Sequence, residues 1–377
     1  METATYLGAR NAAPRVAEHF ARHIAAEREA GRGIVAFAPE VQTLETIIDA
    51  AFWASLRREE GYVPRISLAF LPPDQTARPL RFERPLSLSP HALARVAPAV
   101  ERSGIHLGVW PIDGRLSVWG TTRSIPTYCF VLEVASPGLL VIKHHRGEES
   151  GKFINVAVLE GDHFKIIDER ASSLPDCPPL LTSLLGFDAP ALWNDSVNVL
   201  VELAVSMRAH KRGGALLVVA AGTDTWRESI ARPMLYAVCP IFSELSDLMR
   251  EVPTDTRAWQ DALGRAVDAV AGLTAVDGAT IISDRYDVLG FGAKIARREG
   301  SPLIERVTIT EPIEDAVATI VHPSQLGGTR HLSAAQFVHD QRDAVALVAS
   351  QDGGFTIFAW SPCEETVHAH RVEALLL

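Results

Sequence analysis

Two short segments of this 377-residue chain hold the side chains best suited to chemistry: Asp277-Gly278-Ala279 and Gly328-Thr329-Arg330-His331. The first sets a carboxylate just before an apolar strand, with a glycine that lets backbone approach a ligand closely. The second sets two potentially cationic side chains where a helix should begin, an end that favours negative charge. A phosphate in front of Thr329-Arg330-His331 resolves that conflict, because first-turn N–H groups and a guanidinium both bind phosphate. Taken alone, Asp277-Gly278 also reads as a simple turn before a strand. Thr329 also reads as an N-cap, which uses the same end of a helix.

The elements that must position these residues fall into two textures. Pro14 to Ala30 and Thr43 to Leu56 carry helical apolar spacing. Prolines punctuate Val63 to Pro90, and from Gly104 the period shifts to two. Ile105 to Val109, Leu116 to Val118, Tyr128 to Val134, Leu139 to Lys143, Phe153 to Leu159 and His163 to Ile167 then predict an antiparallel meander, with a turn at Asp113-Gly114. Ser172 to Pro179 reads as a linker. Beyond it, helices are expected at Ser196 to His210, Thr256 to Leu273 and from Thr329 through His339. Strands are expected at Gly214 to Ala221, Ala279 to Ser283, Val288 to Ala293, Ala344 to Ser350 and Phe355 to Trp360. The expected fold class is α/β in the broad sense (α+β), with a strand-rich N-terminal α+β domain over residues 1–180 and a mixed-sheet domain flanked by helices over 190–377.

Composition narrows the function classes. The chain is 47% hydrophobic and 22% charged, as an ordinary globular protein is. Its formal net charge of -10 argues against a sequence-independent nucleic-acid binder, while a small anionic ligand needs only a local basic cluster. No apolar stretch reaches membrane-spanning length, so no membrane partner is expected. The scattered Cys129, Cys177, Cys239 and Cys363 form no C-x-x-C pair, and a cytoplasmic location is expected.

From about Asn194 to Phe358 the chain resembles the diadenylate cyclase domain. Four features stand in order: Lys211 to Val219 is similar to the K-x-GALIV strand, Asp277-Gly278-Ala279 to the DGA motif, Gly328-Thr329-Arg330-His331 to the start of GTRHR, and Ala344 to Gly354 to the strand and turn ALVIVVSEETG. The arrangement with an added N-terminal module resembles the group whose N-terminal part is described as a probable sensor. The resemblance implies condensation of two ATP into cyclic di-AMP or a related dinucleotide, each 3′-hydroxyl attacking the other α-phosphate as pyrophosphate leaves. Such chemistry depends on positioning and electrostatics. It implies Asp277, Arg330 and His331 as catalytic residues, and Gly278, Ala279, Gly328, Thr329 and Ser350 as nucleotide contacts. Mg2+ or Mn2+ would be held by Asp277 and Asp352. Because each site binds one ATP, two sites must face each other, which implies a homodimer or a higher homo-oligomer.

The departures bear on activity. Leu332 replaces the second arginine of the RHR motif, and Gln351 replaces the first glutamate after the serine. Each removes a charge, and losing one preorganised charged group commonly costs about 10²–10³ in rate. A binding-only sensor or scaffold is therefore the second reading. Lys294, Arg297 and Arg298 follow the DGA strand pair and are candidates to compensate. Elsewhere, His19 and His23 have a metal-compatible i, i+4 spacing but no evident third ligand. His144-His145-Arg146 reads as an exposed turn, Asp284 to Asp287 as a solvated hairpin tip, and no G-x-S-x-G elbow supports a serine hydrolase.

Overall fold

The computed structural model describes residues 5–31, 35–59, 61–145, 153–168, 199–251 and 256–377. The chain is α+β and divides into two compact units, Met1–Ile167 with Leu377, and Asp168–Leu376. The linker expected at Ser172 to Pro179, Cys177, Arg146 and the start of the helix expected at Ser196 lie outside the described residues.

In the first unit, α1 (Leu7–Glu29) buries Ala9, Ala12, Ala13, Val16, Phe20 and Ile24, a single helical stripe. It begins seven residues before Pro14, so the proline lies inside the helix and does not start it. Its missing N–H removes one helical bond, and the buried stripe running through it outweighs that loss. The next helix, α2 (Val41–Ser55), buries Leu44, Ile47, Ile48, Ala51 and Ala54, and α3 (Pro90–Val96) is capped by Ser89, whose Oγ accepts from the Ala92 N–H at 3.3 Å.

The strands of this unit are β1 (Ser67–Phe70), β2 (Leu80–Ser87), β3 (His106–Ile112), β4 (Arg115–Thr122), β5 (Phe130–Ser136), β6 (Leu139–His145), β7 (Phe153–Glu160) and β8 (His163–Ile166). They form one sheet in the order β2-β4-β3-β1-β5-β6-β7-β8. The meander from β5 to β8 is antiparallel, whereas β1 runs parallel to β3, a crossover that alternation alone does not signal. The Asp113-Gly114 turn takes φ values of 50° and 75°, as a tight hairpin requires.

Two polar features of this unit were not expected. His144 and His145 end β6 and form no exposed turn; His144 is buried, its ring 5.6 Å from His19 and 4.6 Å from Tyr128. His19 and His23 thereby gain a third imidazole neighbour, yet among the described residues no group of three or more His, Cys, Asp or Glu is placed to hold a metal ion. On β1 and β3, Ser67 Oγ and His106 Nδ1 lie 2.7 Å apart, close to the Lys143–Glu133 ion pair of 2.5 Å. Burial pushes His106 down to about 4, with Lys143 adding to the shift and Glu133 opposing it. An imidazole kept neutral when folded, but free to protonate when unfolded, contributes stability that is full above pH ~6.5 and is lost as pH falls toward ~4. Roughly 3 kcal/mol is at stake over that window. Urea unfolding followed between pH 7 and 4 should show this acid loss in the N-terminal transition, and His106→Asn should flatten it.

The second unit contains helices α4 (Val199–Ala209), α5 (Glu244–Arg250), α6 (Thr256–Leu273) and α7 (Thr329–Asp340). Its strands are β9 (Gly214–Val219), β10 (Tyr236–Phe242), β11 (Ala279–Ser283), β12 (Val288–Ala293), β13 (Val307–Thr310), β14 (Thr319–Val321), β15 (Val345–Ala349), β16 (Phe355–Ser361) and β17 (Thr366–Arg371). The sheet order is β10-β12-β11-β9-β15-β16-β17-β13-β14, with β9 parallel to β11, β13 parallel to β17, and the remaining pairs antiparallel. Every residue of β9 and β11 is buried, as expected for central strands covered on both faces. Helix α7 covers one face, where Ala334, Ala335, Phe337 and Val338 pack with Leu217, Val348 and Phe358. The alternate residues Leu216, Val218 and Leu347 point the other way and are also buried.

The C-terminal end of α7 is tied down by Asp340. Its carboxylate accepts from the Arg298 N–H at 2.9 Å, the Ser301 hydroxyl at 2.5 Å and Gln336 Nε2 at 2.8 Å. Gln336 in turn accepts the Ile304 N–H at 3.0 Å, so the loop after β12 is clamped to the helix. Asp340→Ala strands the buried Gln336 amide and takes the acceptor from the part-buried Arg298 N–H and Ser301 hydroxyl bonds, a lost buried partner costing about 1–3 kcal/mol. Denaturant unfolding should therefore show a loss of about 3 kcal/mol in the C-terminal transition.

Candidate functional site

Strand register collects the two motif segments at one end of the sheet. Gly214 pairs with Ala349, Ala215 with Ala279, Ala279 with Ala293, Ala349 with Phe355, and Thr356 with Arg371. The starts of β9, β11 and β16 and the ends of β12, β15 and β17 consequently lie side by side. Gly213, Asp277-Gly278, Lys294, the Ser350 to Gly354 turn and Arg371 all border that end.

Glycines set the spacing there. Gly278 has φ 113°, and a Cβ on it would come within 2.5 Å of the Gly292 carbonyl carbon. The β11 entry and the β12 exit are thus in backbone-to-backbone contact, which holds Asp277 beside Lys294. Gly214 is a packing residue, since a Cβ on it would lie 2.6 Å from the Thr274 carbonyl oxygen.

Helix α7 starts at the same end of the sheet. Gly328 is its N-cap and Thr329 its first helical residue; no side chain caps this end, and the His331 N–H returns to the Gly328 carbonyl at 3.0 Å. Arg330 Nη1 lies 3.3 Å from the position a Gly213 Cβ would take, so the guanidinium reaches back over the β9 entry. Its charge is felt at Asp277. His331 takes a different course: it is largely buried, with its ring under Gly327 and 6.1 Å from Phe358. Burial pushes its imidazole below the ordinary value, Arg371 adds to that and Asp352 opposes it. Arg330 is therefore the permanent cation of the helix start, and His331 favours the neutral form.

Asp277 meets a cation on its other side. Lys294 Nζ donates to Asp277 Oδ2 at 2.5 Å, and this hydrogen bond and charge hold the carboxyl below the usual carboxylate range. Both side chains are open to solvent, at 56% and 86% exposure. Of the candidates for charge compensation, Lys294 is the one at Asp277, whereas Arg298 pairs with Glu228 at 2.8 Å.

The Ser350 to Gly354 segment forms a tight turn between β15 and β16, closed by the Ser350 N–H to the Gly354 carbonyl at 2.8 Å. Asp352 Oδ1 accepts from the Gly354 N–H at 3.3 Å, and Gln351 Nε2 donates to the Arg212 carbonyl at 3.4 Å. Arg208 braces the turn from α4, with Nε donating to the Gly353 carbonyl at 3.0 Å. Leu332 is partly exposed one position past His331. Sequence reading missed Arg208 and Arg371, which no motif marks.

The donor set has consequences for a divalent ion. Asp277 presents one carboxylate, enough for Mg2+ or Mn2+ arriving with a nucleotide, since such ions keep waters and phosphate oxygens in their shells. Its Oδ2 is engaged by Lys294, so an ion bound through that oxygen would take the ammonium's place. Asp352, the second expected ligand, accepts from the Gly354 N–H within its own turn.

The N-terminal unit from the end of α1 through β4 holds α2, α3 and four of the eight sheet strands. Residues 34–123 match the family described as probable sensor domain DACNV. No curated protein matches the chain. The DACNV segment accounts for α2, α3 and β1 to β4 and stops before the β5 to β8 meander, which completes the same sheet. The N-terminal sensor reading thus rests on the family match, and no helix among the described residues is long and apolar enough to cross a membrane.

Proposed function

We propose that the chain is a signalling nucleotidyltransferase whose C-terminal unit condenses two ATP into a cyclic dinucleotide under the control of its DACNV-matched N-terminal region. The observation that carries this reading is the convergence of Asp277, Arg330 and the uncapped start of α7 at one sheet end, from motif segments that resemble those of diadenylate cyclases. Arg330 and the first-turn N–H groups bind the phosphates. Thr329 adds a hydroxyl, Gly328 leaves room for the ligand, Gly278 sets the close strand contact that places Asp277, and Asp277 orients the attacking 3′-hydroxyl. A divalent ion, when bound, would neutralise charge on the phosphates being exchanged. One site holds one nucleotide, so turnover takes place in a homodimer or higher oligomer with two sites facing.

A second reading, binding without turnover, is favoured by specific contacts. Gln351 and Asp352 are engaged within their own turn and the Arg212 loop, and Leu332 supplies no charge. Incubation of the full chain with ATP and Mn2+ decides between the two: cyclic dinucleotide and pyrophosphate are expected. No product from any nucleotide, with ATP binding retained, leaves the sensor or scaffold. Arg330→Met is expected to weaken binding of a non-hydrolysable ATP analogue by at least about tenfold, the usual value of a charged hydrogen bond. Unchanged affinity would remove the phosphate role from α7.

A further inference from the structure

The cation on Asp277 belongs to the protein itself. Lys294 Nζ is 2.5 Å from Asp277 Oδ2, and Arg330 acts on the same carboxylate from the helix side. Two cations around one carboxylate leave a local excess of positive charge at a solvent-open sheet end. The backbone contact between Gly278 and Gly292 fixes where the two strand ends meet, so the pairing follows from the fold.

From this arrangement we propose that Lys294 is a phosphate-binding and positioning residue of the nucleotide site: its ammonium neutralises Asp277 and, in the absence of metal, meets a phosphate oxygen with its remaining donors, while a metal ion arriving with the nucleotide would take its place at Asp277. The inference rests on the nucleotide reading of this site and goes beyond it by giving Lys294 and a metal ion the same place at Asp277. Three properties support the exchange. An ammonium carries three donors on a flexible stem, and Asp277 accepts only one of them. Solvent-exposed ion pairs are weak and readily traded. A carboxylate without a cation would repel an incoming polyphosphate, so the site needs a charge at Asp277 whether or not metal is present. The exchange breaks no covalent bond and moves no proton.

The prediction concerns metal dependence of binding. Binding of α,β-methylene-ATP to the full chain is to be measured by titration calorimetry in EDTA and again in excess Mn2+. Wild type should bind in both buffers with a small gain from Mn2+. Lys294→Met should bind about tenfold more weakly in EDTA, as loss of a charged hydrogen bond predicts. Mn2+ should restore most of that loss, because the ion occupies the vacated carboxylate. Lys294→Arg, which keeps the charge, should bind in EDTA much more strongly than Lys294→Met.

Equal affinity of Lys294→Met and wild type in EDTA overturns the inference and reduces the pair to a surface contact. A loss that Mn2+ does not restore also overturns it, since it would mean that the ion and the lysine do not share Asp277. If wild type binds no analogue in either buffer, the nucleotide reading falls and takes the inference with it. If wild type binds while Lys294→Met is unaffected, the inference alone falls.

Discussion

Asp277→Asn should lower cyclic dinucleotide formation by about 10²–10³-fold, the usual cost of removing one preorganised charge from a phosphoryl-transfer site. The substitution keeps the shape of the side chain and its place at the β11 entry, so folding should be unaffected. What it removes is the charge proposed to orient the attacking hydroxyl and to accept either Lys294 or an ion. Because Arg330 and the start of α7 remain, nucleotide binding should persist and the loss should appear in kcat more than in KM. Single-turnover assays with ATP and Mn2+ separate these effects. Wild-type rates in the variant would remove Asp277 from the reaction, and loss of binding without loss of kcat would recast it as an anchoring residue.

Gly278→Ala should be nearly as damaging by a different route. Gly278 has φ 113°, where a side chain is strained, and an added Cβ would meet the Gly292 carbonyl carbon at 2.5 Å. The obstacle is backbone, which has no rotamer to escape into. Strain of about 1–3 kcal/mol and a comparable overpacking cost together predict a loss of about 3 kcal/mol or more. Denaturant unfolding would show it in the C-terminal transition, and activity should fall with it because Asp277 and Lys294 are positioned by this contact. A control at Gly328, where nothing lies within 4 Å of a Cβ and φ is -73°, should fold like wild type as Gly328→Ala.

Much of this arrangement was legible in the sequence, for physical reasons that differ by element. Ala279 to Ser283 and Val288 to Ala293 are short apolar runs bounded by turn residues, and both strands end where such punctuation predicts. Thr256 to Leu273 is likewise a helix over its full predicted length. The strand at Tyr236–Phe242 was invisible because it is an edge strand with nearly every residue exposed, so neither face imposes a pattern. Thr366–Arg371 was invisible for the opposite reason: its buried His368 and His370 do not look apolar. Pro14 suggested a helix start because proline is at home in a first turn, but the apolar stripe continues on both sides of it.

At the site, DGA and GTRH were legible because each motif is local. The Lys294–Asp277 pair depends on antiparallel register across seventeen residues of chain, and the sequence could name the lysine only as one of three candidates. The burial of His331 was equally hidden, since it depends on Phe358 and on the positive φ of Gly327 bringing backbone over the ring.

The position of β9 inside the sheet, beside the central β15, has a mechanical consequence. Its amides and those of β11 and β15 are flanked on both sides by paired strands, and should be among the last in the unit to exchange with deuterium. The wall carrying Asp277 and Gly213 is therefore rooted in the stiffest part of the sheet. Lys294 leaves from β12, one strand from the edge, and belongs to a softer layer. A site with one rigid jaw and one compliant jaw can hold its carboxylate still while the opposing cation moves to meet whatever arrives.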